Sequence, residues 1–253
     1  MKTKRKTWYL QKKDILYVEE NHDGKYGAKG QKKLPKRKTT PEDIQRVNRW
    51  NKSKKAKIRL MEYFSPGDLW ATYTYKPENR PPDMDTAKKQ FLAVMDKLRK
   101  IYRKRGRELF WIRNIERGTK GAWHIHFVIN DIGDTASLIE RVWQYGGVFV
   151  TQIRKSMCPE EDFKRLAAYL TKDENTREEK KDGTQAKPRL REANYSHSRN
   201  MPLPEPKPEK LKRWQKDLKP KKGYYIAGSF EGINSVTGYK YRRYTMIRLN
   251  RRI

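Results

Sequence analysis

Across residues 69–170 the apolar side chains switch repeatedly between a period of two and a period of 3.6. The order of those switches leaves few folds open. The run LWATYTYK at 69–76 alternates and is rich in β-formers, which predicts a strand. Asp85 and Thr86 then predict the start of a helix to about residue 105, with Phe91, Met95, Leu98 and Tyr102 on one face. Residues 109–116 and 123–130 predict two strands, and the intervening RGTKGA has hairpin turn chemistry. A short helix follows from Asp134-Thr135 to Gly146-Gly147, then a strand over 148–153, then a helix opened by Pro159 and reaching about Leu170. Strand, helix, hairpin, helix, strand, helix implies antiparallel pairing. The expected class is α+β, a central antiparallel sheet with helices packed on one face, and not a doubly wound parallel sheet.

Outside that stretch the chain is dominated by charge. Lysine and arginine number 61 against 30 acids, a formal net charge of +31, while hydrophobic residues make up only 35%. The core must therefore be concentrated, and self-repulsion on this scale calls for a polyanionic partner, nucleic acid first. An anionic membrane surface fits less well, since no apolar run approaches the ~18 residues of a spanning helix. The charged start MKTKRKTWYLQKKD is not followed by an apolar stretch, so no signal peptide is expected, and the lone Cys158 precludes an internal disulfide and suits a reducing compartment. A soluble cytoplasmic protein is expected. The expected division is a flexible basic arm over 1–40, a core over 41–173 led by a basic helix (Lys52, Lys54, Lys55, Lys57, Arg59), mostly linker over 174–222, and a C-terminal β-hairpin over 223–253 able to pack on the core.

The chain has four histidines, and two of them, His124 and His126, stand two apart within KGAWHIHFVIN. On a strand, residues i and i+2 project to one side, so both imidazoles share a face while Ile125 and Phe127 turn to the core. Alone, such a pair is as readily a solvated sheet face. Glu116 lies eight residues before His124; if the hairpin aligns those two, the carboxylate joins the imidazoles, and a slip of one residue turns it away. Two nitrogens and a carboxylate suit Mg²⁺, Mn²⁺ or Zn²⁺, without choosing among them. In FKRLAAYLTK, Tyr169 and Lys172 are three apart on a helix and share a face. A core-edge tyrosine beside a surface lysine explains that pair alone equally well, but near a cation and an ammonium the phenolate is favoured.

The H-x-H strand, the Y-x-x-K helix, the acid eight residues before the first histidine and the upstream WATYTY strand together resemble the HUH endonuclease superfamily. Within it they are most similar to rolling-circle replication initiators of small phages, plasmids and single-stranded DNA viruses. The resemblance spans residues 60–175. It implies an HUH, RRM-like nuclease fold in which Glu116, His124 and His126 hold a divalent ion, Mg²⁺ or Mn²⁺, and Tyr169 attacks a DNA phosphate, with Lys172 assisting. It further implies single-stranded DNA or an origin stem-loop as partner. Host polymerase and a host helicase would assist, for the sequence carries no Walker-type NTPase loop. Where some members carry two tyrosines on the nucleophile helix, only Tyr169 is found here.

Other readings stay open. A conjugative relaxase or single-tyrosine transposase would use the same chemistry, and a non-catalytic basic nucleic-acid-binding protein would need none of it. Tyr195 and His197 form a competing pair with no base or metal evident. Trp50, Trp70, Trp214, Tyr239, Tyr241 and Tyr244 lie among cations and could stack on unpaired bases. Of Tyr73 and Tyr75, at least one is expected in the core; His22 is expected to be solvated and Cys158 structural.

Overall fold

The computed structural model describes residues 3–22, 38–154, 159–176, 186–187, 189–234 and 239–249, with the backbone alone for 159–161. The expectation for Cys158 and parts of the expected arm and linker lie outside these residues. The chain divides into two compact units: residues 1–62, 156–164 and 203–253 form the first, and residues 63–155 and 165–202 the second. Each contains a five-stranded antiparallel sheet.

In the second unit the strands are β3 (Leu69–Thr74), β4 (Trp111–Gly118), β5 (Trp123–Ile129), β6 (Val148–Gln152) and β7 (Leu190–His197). They lie in the order β6-β3-β5-β4-β7. Leu69, Ala71 and Tyr73 of β3 and Trp123, Ile125 and Phe127 of β5 are buried on one face, as strand alternation requires. Against them pack α2 (Met84–Lys104), through Phe91, Met95, Leu98 and Tyr102, and α3 (Thr135–Val142), through Leu138 and Ile139. The cap of α2 is Asp83, two residues before the expected position; its carboxylate accepts from the Thr86 backbone N–H at 2.7 Å. Tyr73 and Tyr75 are both buried. Gly146 is needed where it stands: a Cβ there would lie 2.2 Å from the Thr74 carbonyl oxygen. Helices do not keep to one face, however. The last turns of α4 (Pro159–Leu170) lie on the opposite side, where Tyr169 meets His126 and Trp70.

The first unit corrects three expectations. Residues 3–22, expected within a flexible arm, form an antiparallel pair, β1 (Thr3–Leu10) and β2 (Ile15–His22). The expected linker contributes β8 (Lys207–Leu211) to this sheet, as it contributes β7 to the other. The C-terminal hairpin, β9 (Tyr224–Ile233) and β10 (Lys240–Arg248), completes the order β8-β1-β2-β10-β9. β1 and β2 look too charged to be structural because their neutralising partners come from distant sequence. Glu20 and Arg242 are both 1% exposed and bonded at 2.6 Å, and Arg5 and the Tyr244 hydroxyl also donate to Glu20. Burial alone would raise Glu20, but its hydrogen bonds to Arg242 and Arg5 hold it below the ordinary carboxylate range. Removing one member strands a buried charge. Arg242→Ala should cost about 3–5 kcal/mol in urea unfolding, and a loss below about 1 kcal/mol would mean the pair is solvated in solution.

The leading helix α1 (Pro41–Tyr63) forms as expected, with Glu42 and Asp43 in its first turn. Part of its basic face, however, addresses the protein. Lys54 bonds Glu19 at 3.1 Å, and the Lys57 ammonium stands 4.0 Å over the Tyr17 ring. Tyr244 is buried, so it is not a base-stacking residue, and His22 lies against Trp214 at 5.1 Å instead of simply in solvent. Trp50 sits beneath Arg243 and Lys54, at 3.8 and 4.3 Å.

Candidate active site

Register brings the site together. Glu116 aligns directly with His124, and Asn114 with His126, across the β4–β5 hairpin; Thr74 and Thr72 align with the same two histidines from β3. All six side chains share the sheet face opposite α2. The alignment of residue 116 with residue 124 is the one that keeps the carboxylate beside the imidazoles.

His126 is the hub. Its Nδ1 lies 2.9 Å from Thr72 Oγ1, and its Nε2 lies 3.1 Å from the Tyr169 hydroxyl and 3.7 Å from Glu116 Oε2. Two tautomers satisfy these contacts; with Nδ1–H donating to Thr72, Nε2 is the acceptor for the Tyr169 hydroxyl. The Trp70 ring stacks parallel to His126 at 5.9 Å and meets Tyr169 edge-on at 5.5 Å, fixing both. Asn114 Nδ2 donates to Glu116 Oε1 at 2.9 Å and to the Lys172 carbonyl at 3.1 Å, tying the end of α4 to the sheet. The Lys172 ammonium lies 4.6 Å from the centre of the Tyr169 ring.

Burial lowers His126 to about 4, helped by His124 and Lys172 nearby, and it lowers His124 with help from Arg80. Both rings are therefore neutral at pH 7, the form that ligates metal ions. Burial also raises Glu116, against the opposing pull of Lys172 and of the Asn114 hydrogen bond. The Glu116–His126 contact is thus a carboxylate beside a neutral ring and not an ion pair.

The donor set suits a divalent ion, two neutral imidazoles and a carboxylate on one face. The side chains are not drawn onto a single point: the two rings are 6.0 Å apart, and no group of three or more His, Cys, Asp or Glu among the described residues converges to hold an ion. Holding one would require Glu116 and His124 to turn toward His126 Nε2.

Sequence reasoning missed Thr72, Asn114 and Phe149. The first two are ordinary strand residues until register places them beside His126 and Glu116. Phe149 is 65% exposed and aligns with Thr72, so it projects on the same face one strand outside it. Arg165 lies one turn before Tyr169 and, with Leu166, Trp70, Thr72, His126 and Tyr169, lines a cleft of about 450 Å³. Tyr195, from the competing pair, aligns with Asn114 on β7, and its ring lies 6.3 Å from that of His197. Because Thr72 fixes the His126 ring and tautomer, Thr72→Val should lower the activity of the site about 10- to 100-fold without unfolding the protein. An unchanged rate would show that Trp70 alone holds the ring.

Fold and site together describe an α+β domain that sets paired histidines, a carboxylate and a helix-borne tyrosine on one open sheet face. Residues 68–174 match the model of a family described as Replication-associated protein, of the ORF2 type. The match supports a DNA-replication protein of the initiator type, and it covers every one of these site residues. Neither the curated proteins nor the solved structures compared with the chain gave a match. Among the described residues, no helix is long and apolar enough to cross a membrane.

Proposed function

We propose that the chain is a site-specific single-strand DNA endonuclease and strand transferase of the HUH type that initiates rolling-circle replication. The observation that carries this reading is the Tyr169 hydroxyl, 3.1 Å from His126 Nε2 on the face shared with His124 and Glu116. The match to a replication-associated family supports it.

In this reading Tyr169 loses its phenolic proton and its oxygen bonds the phosphorus of one phosphodiester. The P–O3′ bond breaks, and the 3′ oxygen takes up a proton and leaves as a hydroxyl able to prime synthesis. The enzyme stays on the 5′ phosphate, and the retained phosphoester energy lets the step run backward as strand transfer. Lys172, beside the ring, favours the phenolate. Arg165, in the cleft beside Tyr169, contacts the phosphate. Trp70 and Thr72 hold His126 in place, and the exposed Phe149 offers a surface on which a flanking base stacks. Glu116, His124 and His126 would hold a divalent ion, Mg²⁺ or Mn²⁺, which polarises the phosphate and neutralises developing charge.

The test uses single-stranded oligonucleotides tiled across the DNA flanking the gene, incubated with the protein and Mn²⁺ and resolved on a denaturing gel. A covalent protein–DNA band and a new polymerase-extendable 3′ end are expected at one position. If no oligonucleotide gives an adduct, the protein is a basic nucleic-acid-binding module. Cleavage at a transfer origin or an element end would identify a relaxase or a transposase.

A further inference from the structure

Between α2 and the edge strand β7 lies a second cleft, of about 760 Å³, built from residues that the proposed reaction does not use. Four arginines line it: Arg99 and Arg103 from α2, Arg107 from the segment after it, and Arg199 from the turn after β7. Leu92, Asp96, Arg99 and Arg103 recur at spacings of four, three and four, a single stripe of the helix. Arg99 is bonded to Asp96. Arg103, Arg107 and Arg199 have no carboxylate within ion-pair distance among the described residues. Glu108 is the other acid of the lining, so the arginines outnumber the acids four to two.

The remaining lining is of another kind. Leu109 and Trp111 are each 3% exposed, and Leu92 is 44% exposed. The Trp111 Nε1–H is buried and meets no acceptor among the described residues, a group that normally finds one. A concave apolar wall carrying an unused donor, rimmed by cations without counter-ions, differs from a merely solvated basic surface. It matches a ligand with phosphates at one end and a sugar and base at the other. A cleft of this volume takes a nucleotide-sized ligand and not a duplex.

We propose that this cleft is a nucleotide-phosphate site: Arg103, Arg107 and Arg199 take the phosphates, and the Leu92–Leu109–Trp111 wall takes the sugar and base. The ligand is a nucleotide unit of a single strand or a free nucleotide, which share that chemistry. The site stands whether or not Tyr169 is a nucleophile.

The experiment uses the full chain with Tyr169→Phe, so that cleavage neither adds to nor hides binding. The triple change Arg103→Ala, Arg107→Ala and Arg199→Ala is compared with Lys97→Ala, Lys100→Ala and Lys104→Ala, which removes equal charge from α2 outside the cleft. All six residues are exposed, so both variants should fold, and circular dichroism checks it. Binding of a fluorescent oligo-dT is followed across a salt series. The cleft variant should lose affinity about tenfold at 0.1 M salt and lower the slope of log K against log salt by about 2, three contacts on single strands. The lysine variant should change both far less. Competition by dATP that disappears in the cleft variant assigns a free nucleotide; competition by unlabelled oligo-dT alone assigns the strand. Equal losses in the two triple variants would overturn the proposal, leaving only diffuse charge.

Discussion

Tyr169→Phe should abolish the covalent protein–DNA band and slow nicking by at least about a thousandfold. The substitution deletes one oxygen. The ring contacts with Trp70 and Lys172 can persist, and the deleted hydroxyl's hydrogen bond is the one to His126 Nε2. A fall in activity therefore cannot be ascribed to lost packing, and an unchanged thermal unfolding curve checks that. Removal of the nucleophile also has a signature that no binding defect shares: the variant still binds the oligonucleotide while no phosphotyrosine forms. A full-strength adduct in this variant would move the nucleophile elsewhere. The first place to look is Tyr195, aligned with Asn114 on the edge strand of the same sheet.

His124→Ala and His126→Ala should each lower nicking by two to three orders of magnitude, the range for losing a group that stabilises charge developing at the reacting phosphate. The two losses should differ in kind. His126 holds Tyr169 and Thr72 as well as offering Nε2, so its removal frees the tyrosine and disorders the Trp70 stack. His124→Ala leaves those contacts intact, and its defect should be relieved in part by raising Mn²⁺. Chelation of divalent ions should stop the wild-type reaction, and added Mg²⁺ or Mn²⁺ should restore it. Calorimetric titration of Mn²⁺ into the DNA-free protein gives an independent readout, with binding weakened in both variants and in Glu116→Gln. Nicking that persists at full rate in excess chelator would dismiss the cation and leave Lys172 and Arg165 to neutralise the phosphate.

Much of the second unit was legible in the sequence because its periodicities are local. The alternation in β3 and β5 and the stripe of Phe91, Met95, Leu98 and Tyr102 on α2 state which side of each element is buried, and the structure agrees. The alignment of Glu116 with His124 followed from an eight-residue spacing across a short turn. The first unit was not legible, since its pattern is compensated over long range. Glu20 reads as a solvent-facing acid until Arg242, 222 residues away, lies against it. The proline-rich stretch read as linker hides β8, which tolerates Pro208 because it is an edge strand paired only with β1.

The sequence by itself determined which residue types could do chemistry here and that an antiparallel sheet would carry them, because strand alternation and helical spacing are properties of neighbouring residues. Only the tertiary structure decided that α4 crosses to the face away from α2, which sets the Tyr169 hydroxyl against His126. It alone also placed Thr72, Asn114 and Phe149 around that contact and gathered four arginines from three segments into one cleft. Those placements depend on which strands pair and where helices dock, and such contacts join parts of the chain that share no local pattern.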